Sequence, residues 1–328
     1  MKSKEEVGER KIIEIIQKHL DIMPNMAIPF GDDVSAYDVG NGSLAILKTD
    51  MLVDKTDVPR GMSLWQAARK AVVMNISDFA AKGVSPLVLL VSLGLPRDLT
   101  ERDVEEIGEG LNAGAREYGA YVVGGDTGEA SDLVISVSLF GLAKKNRVAL
   151  RSGARPGDLV AVTGFFGNTS AGLKILLNGF RASEKVRKAL VESVSMPHAR
   201  LKEGLVLSRA RAVSAAIDSS DGLAWSLHEI AKASDVGFLI DKLPVSKEAE
   251  VFSRMNRLDA SELVFYGGEE YELVLTVKRK LWDKAERAVT EAGGKLLPIG
   301  KVRAEKQILL ETDGKKRIIE PRGYEHFR

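Results

Sequence analysis

The chain has 328 residues, of which 45% are hydrophobic and 28% are charged, a composition typical of a globular protein with more than one hydrophobic core. Its 47 Lys and Arg residues nearly balance its 46 Asp and Glu residues, so we expect no nucleic-acid partner and no binding to an acidic membrane surface. Cysteine is absent and the 4 histidines lack zinc-like spacing, which excludes disulfides, thiolate metal sites and a cysteine nucleophile, and disfavours a histidine-rich zinc site.

The first twenty residues predict an amphipathic helix, with apolar residues such as Ile12, Ile15 and Ile16 on one face. The stretch lacks the uninterrupted apolar segment of a signal peptide. No apolar run in the chain approaches the length that spans a membrane. We therefore predict a cytoplasmic protein.

Strands and helices alternate through the first half of the chain. The sequence predicts a strand over Ser43–Asp50, a long helix over Leu64–Lys82 that ends at Gly83, and a buried strand over Leu87–Leu93. Thr100 and Asp103 form a capping-box pattern that begins a helix reaching about Tyr118. Two further strands are predicted over Ala120–Asp126 and Leu133–Ala143.

The pattern restarts after Lys144-Lys145-Asn146, and the second half again alternates strands with helices. The predicted strands of this half are Leu159–Thr163, Val213–Ile217, Phe238–Ile240, Leu273–Val277 and Leu296–Ile299. We therefore predict an α/β (α+β) protein of two domains, residues 1–146 with a mixed sheet and helices, and residues 147–328 with a second α/β arrangement.

Several aspartates stand where a predicted strand ends. Asp50 ends one strand, Asp126 follows another through Gly124-Gly125, and Asp218 and Asp221 follow the strand that ends at Ile217. Ligand sites of α/β proteins gather at such strand ends. Two simpler interpretations stay open at this point: Asp126 as a turn residue and Asp221 as a helix cap.

Other acidic residues stand in equally unusual settings. Asp78 interrupts an apolar helical run, where an ionised carboxylate is costly unless it is paired or binds a metal. Asp32 and Asp33 lie in the segment FGDDVSA, and Glu269-Glu270 follow Gly267-Gly268. If these carboxylates converge they need counter-charge, which Mg²⁺ supplies best because it prefers oxygen ligands and phosphates.

The common phosphate-binding loops are absent from the sequence. Gly167–Lys174 is nearly a Walker A motif, but its lysine is one position late and no Ser or Thr follows, which excludes a P-loop enzyme. The same helix start either binds an anion or is a plain cap, and Arg151 is either a phosphate ligand or an exposed turn residue. Acidic metal ligands with Gly-rich segments indicate phosphoryl transfer without a covalent nucleophile.

Nine segments together carry a resemblance to a known family. They are, in order, GDD (31–33), TDMLV (49–53), NISDFAAKG (75–83), GGDT (124–127), RSGARPGD (151–158), VTG (162–164), IDSSDGL (217–223), GGEEYEL (267–273) and RGYEHF (322–327). In this order, over nearly the whole chain, they resemble thiamine-monophosphate kinase, a family of the aminoimidazole ribonucleotide synthetase-like superfamily.

The resemblance implies a fold, a reaction and a set of site residues. It implies the two-domain aminoimidazole ribonucleotide synthetase-like fold, joined through the N-terminal domains into a homodimer. It also implies in-line transfer from ATP to thiamine monophosphate, with several Mg²⁺ ions. The implied metal ligands are Asp33, Thr49 (through an oxygen), Asp50, Asp78, Asp126, Asp218 and Asp221. The implied nucleotide-binding residues are Gly125, Asp126, Arg151 and Ser220, and the implied substrate-binding residues are Asp57, Glu269 and Tyr324.

Two positions depart from the pattern of the family. Asp57 stands where bacterial relatives often carry a histidine near the substrate, and Lys48 stands where relatives often have serine and is expected to contribute no metal ligand. Within the superfamily, selenophosphate synthetase and the hydrogenase-maturation dehydratase generally use a cysteine or selenocysteine that this chain lacks, and aminoimidazole ribonucleotide synthetase itself matches fewer of the segments. A non-catalytic divalent-ion module is the alternative from a different class.

Overall fold

The N-terminal half is built on a five-stranded mixed sheet. The computed structural model describes residues 8–327, and the first seven residues of the predicted amphipathic helix lie outside that range. The strands are β1 (Ser35–Gly40), β2 (Ser43–Val53), β3 (Ser85–Leu95), β4 (Tyr121–Glu129) and β5 (Val134–Lys144), and the helices are α1 (Glu9–Gln17), α2 (Asp54–Asp57), α3 (Leu64–Lys82) and α4 (Glu101–Glu117). The strand order is β1-β2-β5-β3-β4, with β3 and β4 parallel and the other pairs antiparallel.

The two long helices of this half begin and end where the sequence predicts. Ser63 and Gln66 form a capping box before α3, and Gly83 ends it in the left-handed conformation with φ of 65°. Thr100 and Asp103 form the capping box of α4. The helices pack closely because Gly110 has no side chain: a Cβ there would lie 2.2 Å from the Trp65 carbonyl oxygen. Both helices lie against one face of the sheet.

The C-terminal half is built on a seven-stranded sheet in the order β12-β11-β8-β10-β6-β9-β7. Its strands are β6 (Leu159–Val162), β7 (Val213–Asp218), β8 (Gly237–Ile240), β9 (Leu273–Val277), β10 (Leu297–Arg303), β11 (Ile308–Thr312) and β12 (Lys315–Ile318). Its helices are α5 (Asn168–Asn178), α6 (Glu184–Ser195), α7 (Leu201–Ala210), α8 (Leu223–Ser234), α9 (Lys247–Asn256), α10 (Ala260–Tyr266) and α11 (Trp282–Glu291). Strands β8 and β11 pair in parallel, and the other neighbouring strands named here pair antiparallel.

Helix α3 joins the two halves. Fifteen residues of α3 are buried, and its Ile76 and Phe79 belong to one hydrophobic core with Ala216 of β7 and Leu275 of β9. The predicted α/β class and the mixed N-terminal sheet are confirmed, whereas the sequence missed β1, β11 and β12. The boundary at 146/147 stays a prediction. Among residues 8–327 no helix combines the length and apolar character needed to cross a membrane.

Candidate active site

Three of the predicted metal ligands meet where α3 passes between the two halves. Asp33 precedes β1, Asp78 lies on α3, and Asp218 is the last residue of β7. One carboxylate oxygen of each lies within 4.8 Å of the others, and all three residues are buried. Ser77 donates a hydrogen bond from Oγ to Asp218 Oδ2 at 2.6 Å, which ties the C-terminal sheet to α3 at this point. We call Asp33, Asp78 and Asp218 the carboxylate cluster.

A fourth predicted ligand, Asp50, lies beside the cluster on β2. Its backbone N–H donates to Asn75 Oδ1 at 2.9 Å, so a buried amide of α3 fixes this part of the strand. The Lys48 ammonium lies between Asp50 and Asp78, with Nζ 3.0 Å from Asp50 Oδ1 and 3.0 Å from Asp78 Oδ2. Lys48 was expected to stay out of metal ligation, and its position inside the acidic group is a finding of the structure.

Two further cations hold Asp33. Lys82 is fully buried at the end of α3, lies 2.8 Å from Asp33 Oδ2 and donates to the Ala216 carbonyl at 2.9 Å. Arg151 donates from Nε to Asp33 Oδ1 at 2.6 Å and from its backbone N–H to Asp32 Oδ2 at 3.0 Å. Although burial opposes ionisation, Lys82 and Arg151 hold the pKa of Asp33 below its ordinary value. Sequence reasoning missed Lys82, whose only signal was a lysine in an otherwise apolar turn of α3.

The other two carboxylates of the cluster resist ionisation. Burial raises the pKa of Asp78 well above its ordinary value; Lys48 opposes this shift, and the neighbouring Asp218 adds to it. Burial and the charge of Asp33 raise the pKa of Asp218 to about 7, against the hydrogen bond from Ser77. An additional cation would relieve both effects.

The cluster is suited to a hard divalent cation. Its donors are carboxylate oxygens, the ligands that Mg²⁺ prefers. Within residues 8–327, the buried hydroxyl of Ser219, next to Asp218, has no hydrogen-bond partner. A buried polar atom without a partner is unfavourable, so a ligand oxygen or metal-bound water at this place would satisfy it. The residues present therefore fit Mg²⁺.

Asp221 is not the cap of the following helix. Gly222 occupies the cap position of α8, with φ of 110° and no side-chain hydrogen bond, so the capping interpretation is wrong. A Cβ at Gly222 would also lie 2.9 Å from the carbonyl oxygens of Phe265 and Gly267. Burial and the charge of Glu9 raise the pKa of Asp221 to about 6. The Asp221 carboxylate is not among the three converging oxygens of the cluster.

Thr49 and Asp126 face the other side of the first sheet. Alternate residues of a strand point to opposite faces, and the Thr49 hydroxyl donates to the Val137 carbonyl at 3.1 Å instead of reaching the cluster. Asp126 is exposed on β4, three strands from β2 in the sheet order, which is roughly 14 Å at ~4.8 Å per strand. Neighbouring Gly125 is required by packing, because a Cβ there would lie 1.8 Å from the Val91 carbonyl oxygen. Within a single chain, neither the Thr49 hydroxyl nor the Asp126 carboxylate reaches the cluster.

The three predicted substrate residues lie near one another. Lys70, fully buried on α3, donates from Nζ to the Asp57 carbonyl oxygen at 2.8 Å and forms an ion pair with Glu269. Burial, with the charges of Asp57 and Glu269, raises the pKa of Tyr324 to about 12. The Asp57 carboxylate itself accepts from the Val53 N–H at 2.7 Å. Lys70 is the residue of this neighbourhood that the sequence did not reveal.

A strained loop carries Glu269 to this position. Glu269 and Tyr271 have φ of 65° and 51°, a left-handed conformation that costs a non-glycine residue about 1–3 kcal/mol. Two hydrogen bonds hold this loop in place: the Glu269 N–H donates to the Ser220 carbonyl at 2.6 Å, and the Tyr271 N–H donates to the Ser219 carbonyl at 3.0 Å. The loop is thereby fixed alongside exposed Ser220.

The N-terminus of α5 is occupied by the side chain of Glu270 from the same chain. Glu270 Oε1 accepts from the Gly167 N–H at 2.6 Å and from the Thr169 N–H at 3.2 Å. Burial raises the pKa of Glu270 to about 7, against the effect of these bonds. The helix start that sequence reasoning left open as an anion site is thus capped by a carboxylate of the chain.

Comparisons with known proteins agree with this architecture. Residues 31–143 match the N-terminal domain, and residues 155–311 the C-terminal domain, of AIR synthase related protein. The thiamine-monophosphate kinase of Nitrosopumilus maritimus is 35% identical over 98% of this chain and 99% of its own. That of Pyrococcus horikoshii is 36% identical over 96% of each chain.

Solved structures give the same result. The structure described as AaThiL complexed with AMPPCP and TMP is 31% identical, covers 99% of both chains and has a TM-score of 0.86. The hydrogenase maturation protein HypE of E. coli is 22% identical with a TM-score of 0.70, a likeness that shows the shared fold alone. The sequence matches over nearly the full length, together with the two matching domains, show that this chain belongs to the thiamine-monophosphate kinase family of AIR synthase related proteins.

Proposed function

We propose that this chain transfers the γ-phosphoryl group of ATP to thiamine monophosphate, which yields ADP and thiamine diphosphate. The observation that carries the proposal is the convergence of Asp33, Asp78 and Asp218, in a chain whose full-length relatives are thiamine-monophosphate kinases. The related structure bound to AMPPCP and TMP supports the same pair of substrates. The cytoplasmic location predicted from the sequence is part of this proposal.

Mg²⁺ ions are proposed at the carboxylate cluster. Asp33, Asp78 and Asp218 would hold one ion, and Asp50, which shares the Lys48 ammonium with Asp78, and Asp221, three residues after Asp218, would extend the site to several ions. Bound Mg²⁺ would neutralise the charge of the phosphates during transfer. Thr49 would take part through its backbone oxygen, because its hydroxyl is on the other face of the sheet.

On the nucleotide side, Arg151 and Ser220 border the cluster. Arg151 is half-buried and is held by Asp33 and Glu229, so its guanidinium is positioned before a ligand arrives. Its contact with Asp33 keeps that carboxylate ionised, the form that binds a metal. Ser220 lies exposed at the neighbouring loop, where its hydroxyl would donate to a phosphate oxygen.

On the substrate side, Glu269, Asp57 and Tyr324 would receive thiamine monophosphate. The thiazolium ring of this substrate is a cation, which suits a carboxylate and an aromatic ring. Glu269 is held by the ion pair with Lys70, and Tyr324 lies beside Gly268, whose Cβ would be 3.4 Å from that of Tyr324. The site would therefore bind the substrate cation near Glu269 and direct its phosphate to the cluster.

The chemistry needs no covalent enzyme intermediate. A phosphate oxygen of thiamine monophosphate attacks the γ-phosphorus of ATP and forms the new P–O bond. The bond from that phosphorus to the bridging oxygen breaks, and its electron pair leaves with ADP. The chain would contribute position and charge: its carboxylates would hold the metal, and Arg151, held by Asp33, would add a positive charge at the site.

We also propose a homodimer joined through the first sheet. Helices α3 and α4 cover one face of this sheet, while the other exposes Tyr37, Leu47, Met51, Leu90 and Leu142. An exposed apolar face of this extent is typical of an interface. The same face carries Asp126, so a second copy packed here would bring the partner's Asp126 and Gly125 toward a site that one chain leaves without them.

The experiment that tests the function is an assay of the purified protein with ATP, MgCl₂ and thiamine monophosphate. Thiamine diphosphate is measured by chromatography after oxidation to its fluorescent thiochrome derivative, and ADP in parallel. Equal amounts of the two products support the proposal. ADP without thiamine diphosphate would favour another ATP-dependent member of the superfamily, and Mg²⁺ binding without ADP would favour a non-catalytic ion module.

A further inference from the structure

The Lys48 side chain lies inside the acidic group that is proposed to bind metal. Residues 44, 46, 48, 50 and 52 of β2 point to the same face, toward α3, and Leu44, Ile46 and Leu52 are buried there. Lys48 and Asp50 occupy the two polar positions of this row. The chain therefore places an ammonium and a carboxylate side by side on the core face of the strand.

The Lys48 ammonium is held by carboxylates from two different elements. Nζ is 3.0 Å from Asp50 Oδ1 and 3.0 Å from Asp78 Oδ2, a bridging position between β2 and α3. The lysine side chain is 18% exposed, so bulk water screens the contact only in part. Two carboxylate oxygens at this distance favour the charged form of a lysine, so the side chain is an ammonium here.

An ammonium and a divalent ion cannot share this position. Mg²⁺ requires carboxylate oxygens at about 2.0–2.1 Å, so an ion between Asp50 and Asp78 would overlap the Lys48 nitrogen and repel its charge. Among the described residues, Lys48 forms ion pairs with Asp50 and Asp78 and none with Asp33 or Asp218, so it directly occupies one of the three carboxylates of the cluster.

We propose that Lys48 is a built-in cation that takes the place of one divalent ion between Asp50 and Asp78. The site of this chain then binds one divalent ion fewer per subunit than it would with a small uncharged residue at position 48. The inference rests on the proposed function for the assignment of these carboxylates as Mg²⁺ ligands. A fixed ammonium would balance the negative charges of Asp50 and Asp78 when the metal concentration is low.

The other cations of the region do not fill this role. Lys82 and Arg151 both contact Asp33, and each is also held by a backbone carbonyl, that of Ala216 for Lys82 and that of Gly31 for Arg151. Lys48 alone, among the described residues, bridges Asp50 and Asp78. Lys82 and Arg151 therefore hold Asp33, whereas Lys48 occupies the position between Asp50 and Asp78.

The test counts ions. Mn²⁺ bound per subunit is measured by electron paramagnetic resonance titration, with and without a non-hydrolysable ATP analogue, for the wild type, Lys48→Ser, Lys48→Gln and Lys48→Arg. We expect Lys48→Ser and Lys48→Gln to bind one Mn²⁺ more than the wild type, and Lys48→Arg to match it. Lys48→Gln keeps most of the side-chain length, so it serves if Lys48→Ser does not fold, as judged by circular dichroism.

The outcomes separate this inference from the proposed function. An unchanged Mn²⁺ count in both uncharged variants overturns the role of Lys48, even if the wild type makes thiamine diphosphate. A higher count supports it, even if the product of the wild-type reaction is not thiamine diphosphate. A count of zero in the wild type and all variants would overturn both the inference and the metal cluster.

Discussion

Ser77 on α3 donates a hydrogen bond to the Asp218 carboxylate at the end of β7, 141 residues further along the chain. The bond is 2.6 Å long and buried, and it lowers the pKa of a carboxylate that burial raises to about 7. It thus favours the ionised form of Asp218, which is the form that binds a metal. One hydrogen bond therefore both joins the two halves and favours ionisation of the proposed metal site.

Ser77→Ala removes this bond and should move the acidic limb of the pH profile. Without the donor the pKa of Asp218 rises further, so a higher pH is needed to ionise it. We expect kcat/KM to fall severalfold at pH 7 and to recover by pH 8.5. Ser226→Ala is the control, since Ser226 donates to the Asp218 backbone carbonyl and not to its carboxylate. A drop of equal size at both pH values would contradict the assignment.

Asp218→Asn and Asp221→Asn should separate catalysis from stability. Loss of a carboxylate ligand is expected to lower kcat by about a hundredfold or more. At about pH 4, where both carboxyls are protonated in the folded protein, the free energy of unfolding without metal should change by no more than ~1 kcal/mol, because neither side chain caps a helix. Thiamine diphosphate formation and urea denaturation measure the two quantities. Asp241→Asn, at an exposed position, is the control. A variant that unfolds easily yet keeps its specific activity would speak for a structural role.

Removal of Mg²⁺ should destabilise the protein more at alkaline than at acidic pH. Burial raises the pKa of Asp218 from 3.8 to about 7, and that of Glu270 from 4.5 to about 7. A raised acid pKa contributes stability that is present below the unfolded value and is lost as pH rises through the folded value. The metal-free protein should therefore lose stability between about pH 4 and pH 7.

Calorimetry with either EDTA or MgCl₂, from pH 5.5 to pH 8.5, measures this effect. A cation at 100 times its Kd stabilises by about 2.7 kcal/mol, and the gain in Tm should be largest at pH 8.5, where the carboxylates are ionised. Asp218→Asn should show a smaller gain. An equal Mg²⁺ effect at every pH would argue against binding at the cluster.

Lys70→Met should weaken the binding of thiamine monophosphate specifically. The variant removes the buried cation that fixes Glu269, and a loss of about 1.4 kcal/mol corresponds to a tenfold rise in KM. The KM for ATP should stay within about twofold. A double-mutant cycle with Glu269→Gln should be non-additive, because the two side chains act through one ion pair. Additive effects, or equal changes in both KM values, would show that Lys70 acts on the fold as a whole.

Leu90→Asp should convert the proposed dimer into a monomer. Leu90 is 53% exposed on the uncovered face of the first sheet, where a buried charge would oppose association. We expect sedimentation velocity to show the mass of one chain, and activity to fall because the partner's Asp126 is lost. Leu177→Asp, at a 64% exposed leucine of α5, is the matched control. A Leu90→Asp protein that is monomeric and fully active would exclude a partner contribution.

The sequence was most informative where the signals are local. The terminal glycine Gly83 and the capping box at Thr100 lie within a few residues of the helix ends that they define, and α3 ends and α4 begins there. The family resemblance rests on whole segments, and the full-length relatives confirm it. Strand β1 was missed because its short, exposed and partly charged segment has no buried alternation to read.

The tertiary structure alone decided how the charges are arranged. Lys48 meets Asp78, and Lys70 meets Glu269, only because β2 and the loop at Glu269 pack against α3, and no spacing along the chain encodes these two contacts. Strand register turns Asp126 to the opposite face from Asp50, and both residues lie inside strands (β4 and β2) and not at the strand ends that the sequence predicted. Residue types and their order therefore determined the family and the acidic chemistry. The cations that balance each carboxylate follow from long-range packing, because electrostatic pairing depends on distance in space and not on separation along the chain.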